Sequence, residues 1–346
     1  MSRSCGSSAR NFASSLPIFA HTAHSSSLRS ASRHRGQTRV GLRVSLSLCK
    51  SLYQCIVLAL RGPLHPDSEA IQVELKGKNA IVTGSARGIG RGIALKLANA
   101  GANIACVDLG NPSDKALTYN LAAQTNLLST VEEVKRCGVK AMPILADVTS
   151  ASDCQRMAAE TVRQLGSIDV LVNNAGIIAV GLVADFPEEQ WDRVMAVNAK
   201  GPFLCSKACV PHMLRNKEGA IINTASIAGK TGRGGAAAYC ASKFAVVAFT
   251  QALAEELGPS NIRVNAVCPG FLRTAMWTEV LNKVRGLLGR GEGDSSVDNL
   301  THVALHGTYL GREQTPDDMG DAVVYLACAD NVTGETLNVA GGAEVH

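Results

Sequence analysis

From about residue 71 to its end, the sequence alternates short apolar runs with longer amphipathic segments. Seven runs resemble buried strands that each lead into a turn: NAIVTG, NIACVD, AMPILADV, IDVLVNNAG, GAIINTAS, IRVNAVCPG and ETLNVAGG. Apolar runs without polar alternation, separated by stretches of helical length, are typical of a parallel sheet covered on both faces. The pattern therefore predicts an α/β fold with a doubly wound parallel sheet, in which ligands bind at the carboxyl ends of the strands.

Two connections are longer than the short loops that such a fold requires. Residues 110–124 extend the connection after the second strand, and residues 275–315 precede the last helix. Long connections at the strand ends often act as binding lids. We expect one catalytic domain over residues 71–346, with residues 275–315 as the lid over the substrate.

The net charge of +5 is concentrated at the amino-terminal end. Residues 1–66 contain nine Lys or Arg, 14 Ser and no acidic residue, whereas the remaining residues contain 25 basic and 29 acidic side chains. We therefore expect residues 1–70 to form a disordered basic extension and the folded part not to bind nucleic acid. The composition of the extension fits an organellar transit peptide, an unstructured tail or translated sequence upstream of the true start. The expected location is the cytoplasm, or a mitochondrion or plastid if the extension is a transit peptide.

The sequence gives little support for membrane, metal or disulfide chemistry. The stretch SLYQCIVLALRG is well short of the roughly 20 apolar residues of a transmembrane helix, so we expect no membrane partner. The 11 cysteines contain no C-x-x-C pair, which argues against a zinc site and a disulfide framework. His302 and His306 have helical spacing for a metal but no third ligand, and we expect a structural role for them.

A glycine-rich turn, TGSARGIG, follows the first strand and opens the first helix. Glycines at such a turn let the backbone approach a pyrophosphate, which the helix N-terminus binds through its free N–H groups. Asp108 ends the second strand, where a carboxylate accepts hydrogen bonds from the adenosine ribose and repels a 2′-phosphate. Arg87 in the turn could instead pair with that phosphate. Because the Asp108 carboxylate would meet that phosphate directly, we expect NAD rather than NADP as the cofactor. The scaffold that we expect for this site is the Rossmann fold.

The stretch YCASK places Tyr239 and Lys243 four residues apart, which brings both side chains to one face of a helix. The phenol of a free tyrosine has a pKa of about 10. This pKa must fall by about three units before the side chain can accept a proton near neutral pH. An ammonium 5 to 6 Å away stabilises the phenolate by about 3 kcal/mol at an effective dielectric constant of about 20. We therefore expect Lys243 to lower the pKa of Tyr239, with a second positive charge completing the shift.

Six motifs, taken together in order and spacing, resemble the classical short-chain dehydrogenase/reductases. They are TGSARGIG, NNAG, the Asn of VMAVNAKG, the Ser of NTASIAG, YCASK and VCPGFLRT, and the resemblance covers about residues 75–342. It implies an oxidoreductase with four catalytic residues: Asn198, Ser226, Tyr239 and Lys243.

The resemblance also implies a role for each catalytic residue. Tyr239 would act as the general acid/base. Lys243 would hold the nicotinamide ribose, and the cationic oxidised nicotinamide would be the second charge. Ser226 would donate a hydrogen bond to the substrate oxygen. Asn198 would hold a water that links Lys243 to solvent, and it could also stabilise a helix bend.

The cofactor contacts that the resemblance implies follow the whole carboxyl edge of the sheet. They are Gly84, Ser85, Arg87, Gly88, Ile89, Gly90, Asp108, Asp147, Val148, Asn174, Ala175, Gly176, Tyr239, Lys243, Pro269, Gly270 and Thr274. Trp277 is the one tryptophan that we consider a pocket candidate.

The leading hypothesis is an NAD-dependent dehydrogenase of a small-molecule secondary alcohol, with a diol, polyol or acetoin-like compound as substrate. The alternative within the enzyme class is NADPH-dependent reduction of a 3-ketoacyl, steroid or xenobiotic carbonyl compound. A regulator that binds a dinucleotide without turnover is a third possibility, but the complete catalytic set argues against it. Family members usually assemble as tetramers through two long helices, here about residues 187–216 and 237–258, so we expect a homotetramer or homodimer.

Overall fold

The computed structural model describes residues 75–111, 113–117, 119–274, 283, 287, 304 and 306–346. The basic extension that we expect at residues 1–70 lies outside the described residues, and so do Trp277, His302 and most of the lid expected at residues 275–315. All described residues belong to one compact unit, Glu69–His346.

Seven parallel strands form one sheet in the order β3-β2-β1-β4-β5-β6-β7. The strands are β1 (Asn79–Thr83), β2 (Asn103–Asp108), β3 (Ala141–Leu145), β4 (Val170–Asn173), β5 (Gly219–Thr224), β6 (Ile262–Pro269) and β7 (Thr336–Val339). All residues of β1, β4 and β5 are buried, as expected for strands covered on both faces. The doubly wound parallel sheet is confirmed.

Seven α-helices connect or follow these strands in the described residues. They are α1 (Gly88–Asn99), α2 (Gln124–Arg136), α3 (Ala151–Leu165), α4 (Glu188–Met195), α5 (Gly201–Asn216), α6 (Ala237–Leu257) and α7 (Pro316–Cys328). A π-helical turn, Ala196–Lys200, joins α4 to α5. The two long helices expected from the sequence are therefore confirmed.

Each face of the sheet carries its own hydrophobic core. One core joins buried residues of α3, α5 and α6 to strand residues such as Ile81 and Ile221. The other joins residues of α1, α2 and α7 to their neighbours along the same strands, such as Val82 and Ile222. Successive strand residues point to opposite faces, so the uninterrupted apolar runs of the sequence are needed to supply both cores.

The strand order reverses between β1 and β4, which pair directly in parallel. The connections from β1 and β4 leave toward opposite sides at this point and open a crevice at the carboxyl edge of the sheet. The glycine-rich turn follows β1 here, and the NNAG motif follows β4.

The helical segment Ala237–Ser260, which contains α6, is long and apolar enough, by length and composition alone, to cross a membrane. Its residues Val246, Leu253 and Leu257 are, however, buried inside the protein. This is the situation of a core helix, and it gives only weak evidence for a membrane span.

Candidate active site

A cavity of about 1260 Å³ lies at the carboxyl edge of the sheet. It is lined by almost all of the site residues expected from the sequence: Gly84, Arg87, Gly88, Ile89, Gly90, Asp108, Asp147, Val148, Asn174, Ala175, Gly176, Ser226, Tyr239, Lys243, Pro269, Gly270 and Thr274. The two exceptions are Ser85 and Asn198, whose side chains are buried in the protein. The fold thus brings together residues that are up to 190 positions apart in the sequence.

The turn after β1 accepts only glycine at its critical positions. Gly84 has a φ of +67° and Gly88 a φ of +56°, a region that other residues rarely adopt. A Cβ added to Gly90 would lie 2.1 Å from the Gly84 carbonyl oxygen. The amide of Asn174 donates to the carbonyl oxygens of Thr83 and Gly84 at 2.9 and 3.2 Å. This hydrogen bonding fixes the turn against the end of β4.

The N-terminus of α1 opens into the cavity directly after this turn. Gly88, Ile89 and Gly90 form its first residues and line the cavity. Their backbone N–H groups have no acceptor within the helix, and the helix dipole is positive at this end. Glycine at position 90 lets the helix pack closely against the turn, and the N–H groups at this end suit a bound anion such as the pyrophosphate of a dinucleotide.

Asp108 lies at the end of β2, beside the same turn. Its carboxylate accepts hydrogen bonds from the backbone N–H of Ala86 at 3.0 Å and of Gly110 at 3.4 Å. Burial raises the pKa of this carboxyl, although these hydrogen bonds oppose the shift. The guanidinium of Arg87 donates to the carbonyl oxygen of Asn120 at 2.6 Å. Arg87 is therefore engaged with the protein backbone, while the Asp108 carboxylate faces the cavity.

Ser85 is the one expected cofactor contact that does not line the cavity. It is completely buried, and its hydroxyl donates to the carbonyl oxygen of Val107 at 3.2 Å. Ser85 holds the turn in place and does not line the cavity.

Tyr239 and Lys243 lie on the first turns of α6, on the face that meets the cavity. Lys243 is only 4% exposed, and its ammonium donates to the carbonyl oxygen of Thr224 at 2.8 Å. The ammonium nitrogen lies 5.6 Å from the centre of the Tyr239 ring. The i,i+4 spacing therefore brings the two side chains together as predicted.

Ser226 lies beside Tyr239 at the end of β5. Its hydroxyl accepts from the backbone N–H of Ala228 at 3.1 Å and caps a short 3-10 turn. The same hydroxyl lies close enough to the phenol of Tyr239 to lower the pKa of that phenol. A substrate oxygen in front of Tyr239 would thus meet two hydroxyl groups.

The pKa values correct the electrostatic expectation from the sequence. Burial raises the pKa of Tyr239 to about 12, and the interaction with Ser226 opposes this only in part. Burial also lowers the pKa of Lys243 to about 8. The expectation that Lys243 makes the phenol acidic considered only attraction between charges and omitted the loss of hydration. In the protein alone, both side chains favour their neutral forms more than they do in water.

Asn198 lies in the π-helical turn that joins α4 to α5. Its side-chain oxygen accepts from the backbone N–H of Ile177 at 2.9 Å. Its amide donates to the Ile177 carbonyl oxygen at 2.8 Å and to the Ser242 hydroxyl at 3.0 Å. Asn198 thus ties the segment after β4 to α6. Its role in holding a water remains a prediction.

The length of residues 110–124 indicated a connection at the binding edge of the sheet, but not which of its side chains would line the cavity. Tyr119, Leu121 and Ala122 of this connection line it, together with Arg193 of α4. Arg193 pairs with Asp114 at 2.8 Å across 79 residues of sequence. Besides the length of the connection, the sequence offered one signal for these contacts, an aromatic residue in the apolar stretch ALTYNLAAQ, which is unusual in a surface loop.

A family model described as short chain dehydrogenase matches residues 78–285 of the chain. The chain belongs to the short-chain dehydrogenase family. The glycine-rich turn after β1 and the residues around Tyr239 agree with this membership. The protein is therefore an oxidoreductase that acts with a nicotinamide cofactor on the alcohol or carbonyl group of a small molecule.

Relatives of this short-chain dehydrogenase include both reductases and dehydrogenases. It is 39% identical over 267 residues to 3-oxoacyl-[acyl-carrier-protein] reductase FabG of Staphylococcus aureus, covering 77% of this chain and 97% of the relative. The solved structure of carveol dehydrogenase from Mycobacterium avium in complex with NAD matches with a TM-score of 0.73 and 30% identity, over 78% of this chain and 98% of the other. NAD+-bound xylitol dehydrogenase matches with a TM-score of 0.69 and 32% identity, over 77% and 99% of the two chains.

Proposed function

We propose that this short-chain dehydrogenase interconverts a secondary alcohol and a ketone with NAD, using Tyr239 as the proton acceptor and donor. The observation that carries the proposal is the buried ammonium of Lys243 at 5.6 Å from the Tyr239 ring, with the Ser226 hydroxyl on the same phenol. When bound, the nicotinamide dinucleotide supplies the hydride acceptor or donor. The protein's own residues position the substrate oxygen and move its proton.

In the direction of alcohol oxidation, the phenolate oxygen of Tyr239 takes the proton of the substrate hydroxyl. Ser226 donates a hydrogen bond to the same substrate oxygen and stabilises the charge that develops on it. Lys243 stabilises the phenolate through its charge. In the direction of ketone reduction, Tyr239 returns the proton to the substrate oxygen.

The preference for NAD is supported by the two charged groups beside the adenosine end of the cavity. The Asp108 carboxylate lines the cavity and would repel a 2′-phosphate. Arg87 is already bonded to the Asn120 carbonyl oxygen. The NAD named with carveol dehydrogenase and xylitol dehydrogenase agrees with this preference.

A diol, polyol or acetoin-like substrate remains our proposal for the substrate class. Similarity to xylitol dehydrogenase supports it. The second candidate is reduction of a 3-ketoacyl compound with NADPH, which the similarity to FabG favours. Reduction of a steroid or xenobiotic carbonyl compound belongs to the same alternative.

The decisive experiment measures initial rates of the purified protein with both cofactors. Diols, polyols and simple secondary alcohols would be tested with NAD+ and NADP+, and 3-ketoacyl compounds and steroids with NADH and NADPH. We expect the highest kcat/KM with NAD+ and an alcohol, and a loss of at least a thousandfold in Tyr239→Phe. Tyr325→Phe, on the exposed side of α7, is the matched control. A strong preference for NADPH would refute the cofactor assignment, and NADH binding without turnover of any compound would favour the non-catalytic regulator.

We also propose that the protein is a homotetramer or homodimer that pairs through α4, α5 and α6. Phe203 and Phe244 are 46% and 44% exposed on α5 and α6, and large apolar side chains at such positions are common in contacts between subunits. Light scattering on the purified protein gives the mass of the assembly directly. A monomer at micromolar concentration would contradict the proposal.

A further inference from the structure

The connection between β2 and α2, residues 109–123, reaches from the adenosine end of the cavity toward Tyr239; we call it the β2–α2 strap. At one point the Arg87 guanidinium donates to the Asn120 carbonyl oxygen at 2.6 Å. At another, the Asp114 carboxylate accepts from Arg193 of α4 at 2.8 Å, with only 9% of the Asp114 side chain exposed. The strap is thus attached to two separate elements of the fold.

A third attachment is made by Tyr119. Its hydroxyl oxygen accepts a hydrogen bond from the backbone N–H of Ile178 at 3.0 Å. Ile178 follows the NNAG motif and lines the cavity. Tyr119 is only 7% exposed, and burial raises the pKa of its phenol. The side chain is therefore a neutral ring whose oxygen is bonded to the backbone.

The ring of Tyr119 belongs to an apolar cluster next to Tyr239. The cluster contains the buried residues Tyr119, Ile178, Val180, Ala228, Ala236 and Cys240, and Tyr239 packs against it. Tyr119, Ile178, Ala228 and Ala236 also line the cavity. The cluster lies on the side of the cavity where the substrate must approach Tyr239.

We propose that Tyr119 determines substrate specificity by forming, with Ile178, Ala228 and Ala236, an apolar wall that limits the size of one substituent of the substrate carbinol carbon. This inference rests on the proposed function and narrows it. The substituent that faces the wall is a hydrocarbon group, an alkyl chain or a ring, because the described side chains on this side offer it carbon atoms.

The test compares relative activities on alcohols of different bulk. The probes are 2-butanol, cyclohexanol and 4-phenyl-2-butanol with NAD+, and 2,3-butanediol as the polar reference. For each protein, the ratio of kcat/KM for 4-phenyl-2-butanol to that for 2-butanol measures the room beside the wall. We expect this ratio to rise at least tenfold in Tyr119→Ala and by a smaller factor in Tyr119→Leu. Tyr119→Phe, which keeps the ring, should leave the ratio within twofold of the wild type.

Controls separate the wall from general damage to the protein. Tyr325→Ala removes an exposed tyrosine from α7 and should leave the ratio unchanged. The Kd of NADH, measured by fluorescence, should stay within twofold in all variants, which shows that the cofactor end is intact. If Tyr119→Ala does not fold, Tyr119→Leu carries the test because it keeps a buried apolar side chain.

Three outcomes would overturn the inference while the proposed function stands. One is an unchanged ratio in both Tyr119→Ala and Tyr119→Leu. Another is a change in Tyr119→Phe as large as in Tyr119→Ala, which would assign the effect to the hydroxyl. The third is wild-type turnover of 2,3-butanediol and polyols without turnover of the three simple alcohols. If the wild type oxidises no alcohol with either cofactor, the proposed function fails and the inference fails with it.

Discussion

Replacing Lys243 by Met tests whether the ammonium acts on Tyr239 through its charge. The side chain of Met has a similar length and no charge, and the site is almost completely buried. We expect alcohol oxidation by the variant to require a higher pH than oxidation by the wild type. The reason is that a nearby positive charge stabilises the phenolate and thereby lowers the pKa of the phenol.

The size of the effect follows from the distance. The Lys243 nitrogen lies 5.6 Å from the centre of the Tyr239 ring. At an effective dielectric constant of about 20, two unit charges at this distance interact with about 3 kcal/mol, or about two pKa units. The pH at which kcat/KM is half-maximal should therefore rise by about two units. At pH values below both midpoints, the loss in kcat/KM should be roughly a hundredfold, and it should shrink as the pH rises.

The assay is the initial rate of alcohol oxidation between pH 6 and pH 10, at saturating NAD+ and limiting alcohol. Lys207→Met removes an exposed lysine of α5, which lies over the Phe203 ring, and serves as the matched control. Lys243→Arg keeps a positive charge and should retain the wild-type midpoint more closely. An equal loss at every pH, without a shift of the midpoint, would refute the electrostatic argument and would assign Lys243 a purely positional role.

Three further predictions concern stability, the glycine-rich turn and the choice of cofactor. Burial lowers the pKa of Lys243 from 10.5 to about 8, so between these pH values the folded protein binds fewer protons than the unfolded one. The free energy of unfolding should therefore rise with pH in this window, by about 3 kcal/mol in total. Denaturant unfolding of Lys243→Met should lack this rise. Gly90→Ala places a Cβ 2.1 Å from a carbonyl oxygen and should weaken NADH binding, measured by calorimetry, more than tenfold. The control Gly258→Ala has open space around its Cβ and should not weaken binding. Equal NADH affinity of the two variants would contradict the prediction that crowding at Gly90 disturbs the turn. Asp108→Ala should raise the ratio of kcat/KM for NADP+ to that for NAD+ at least tenfold, with Asp185→Ala as an exposed control, and an unchanged ratio would show that Asp108 does not select the cofactor.

The sheet could be predicted from the sequence because each strand is covered on both faces. A residue such as Ile81 faces one core and its neighbour Val82 faces the other, so the sequence must be apolar at successive positions. The glycine-rich turn was equally visible, since Gly84 and Gly88 adopt φ values that favour glycine. In both cases the physical requirement acts on adjacent residues, and a short stretch of sequence therefore reveals it.

The β2–α2 strap could not be predicted in the same way because its structure depends on distant partners. Asp114 finds its partner Arg193 on α4, and Tyr119 finds the backbone of Ile178 beyond β4. Neither pair has a characteristic spacing in the sequence. The direction of the Ser85 side chain depends in the same way on a contact with Val107 of the neighbouring strand.

Burial outweighs the effect of the Lys243 charge on the pKa of Tyr239, and it also explains why this site depends on its cofactor. The pKa of the phenol is raised to about 12 and that of the Lys243 ammonium is lowered to about 8. Moving the proton of Tyr239 onto a neutral Lys243 is thus unfavourable in the protein alone, because the attraction between the two resulting charges offsets the shifts of both pKa values only in part. A positive charge stabilises a neighbouring phenolate more strongly in such a poorly hydrated site than in water. We therefore expect Tyr239 to become a proton acceptor near neutral pH only with an oxidised nicotinamide ring beside it. A tyrosinate absorbance that appears between pH 7 and pH 9 without NAD+, and is absent in Tyr239→Phe, would contradict this conclusion.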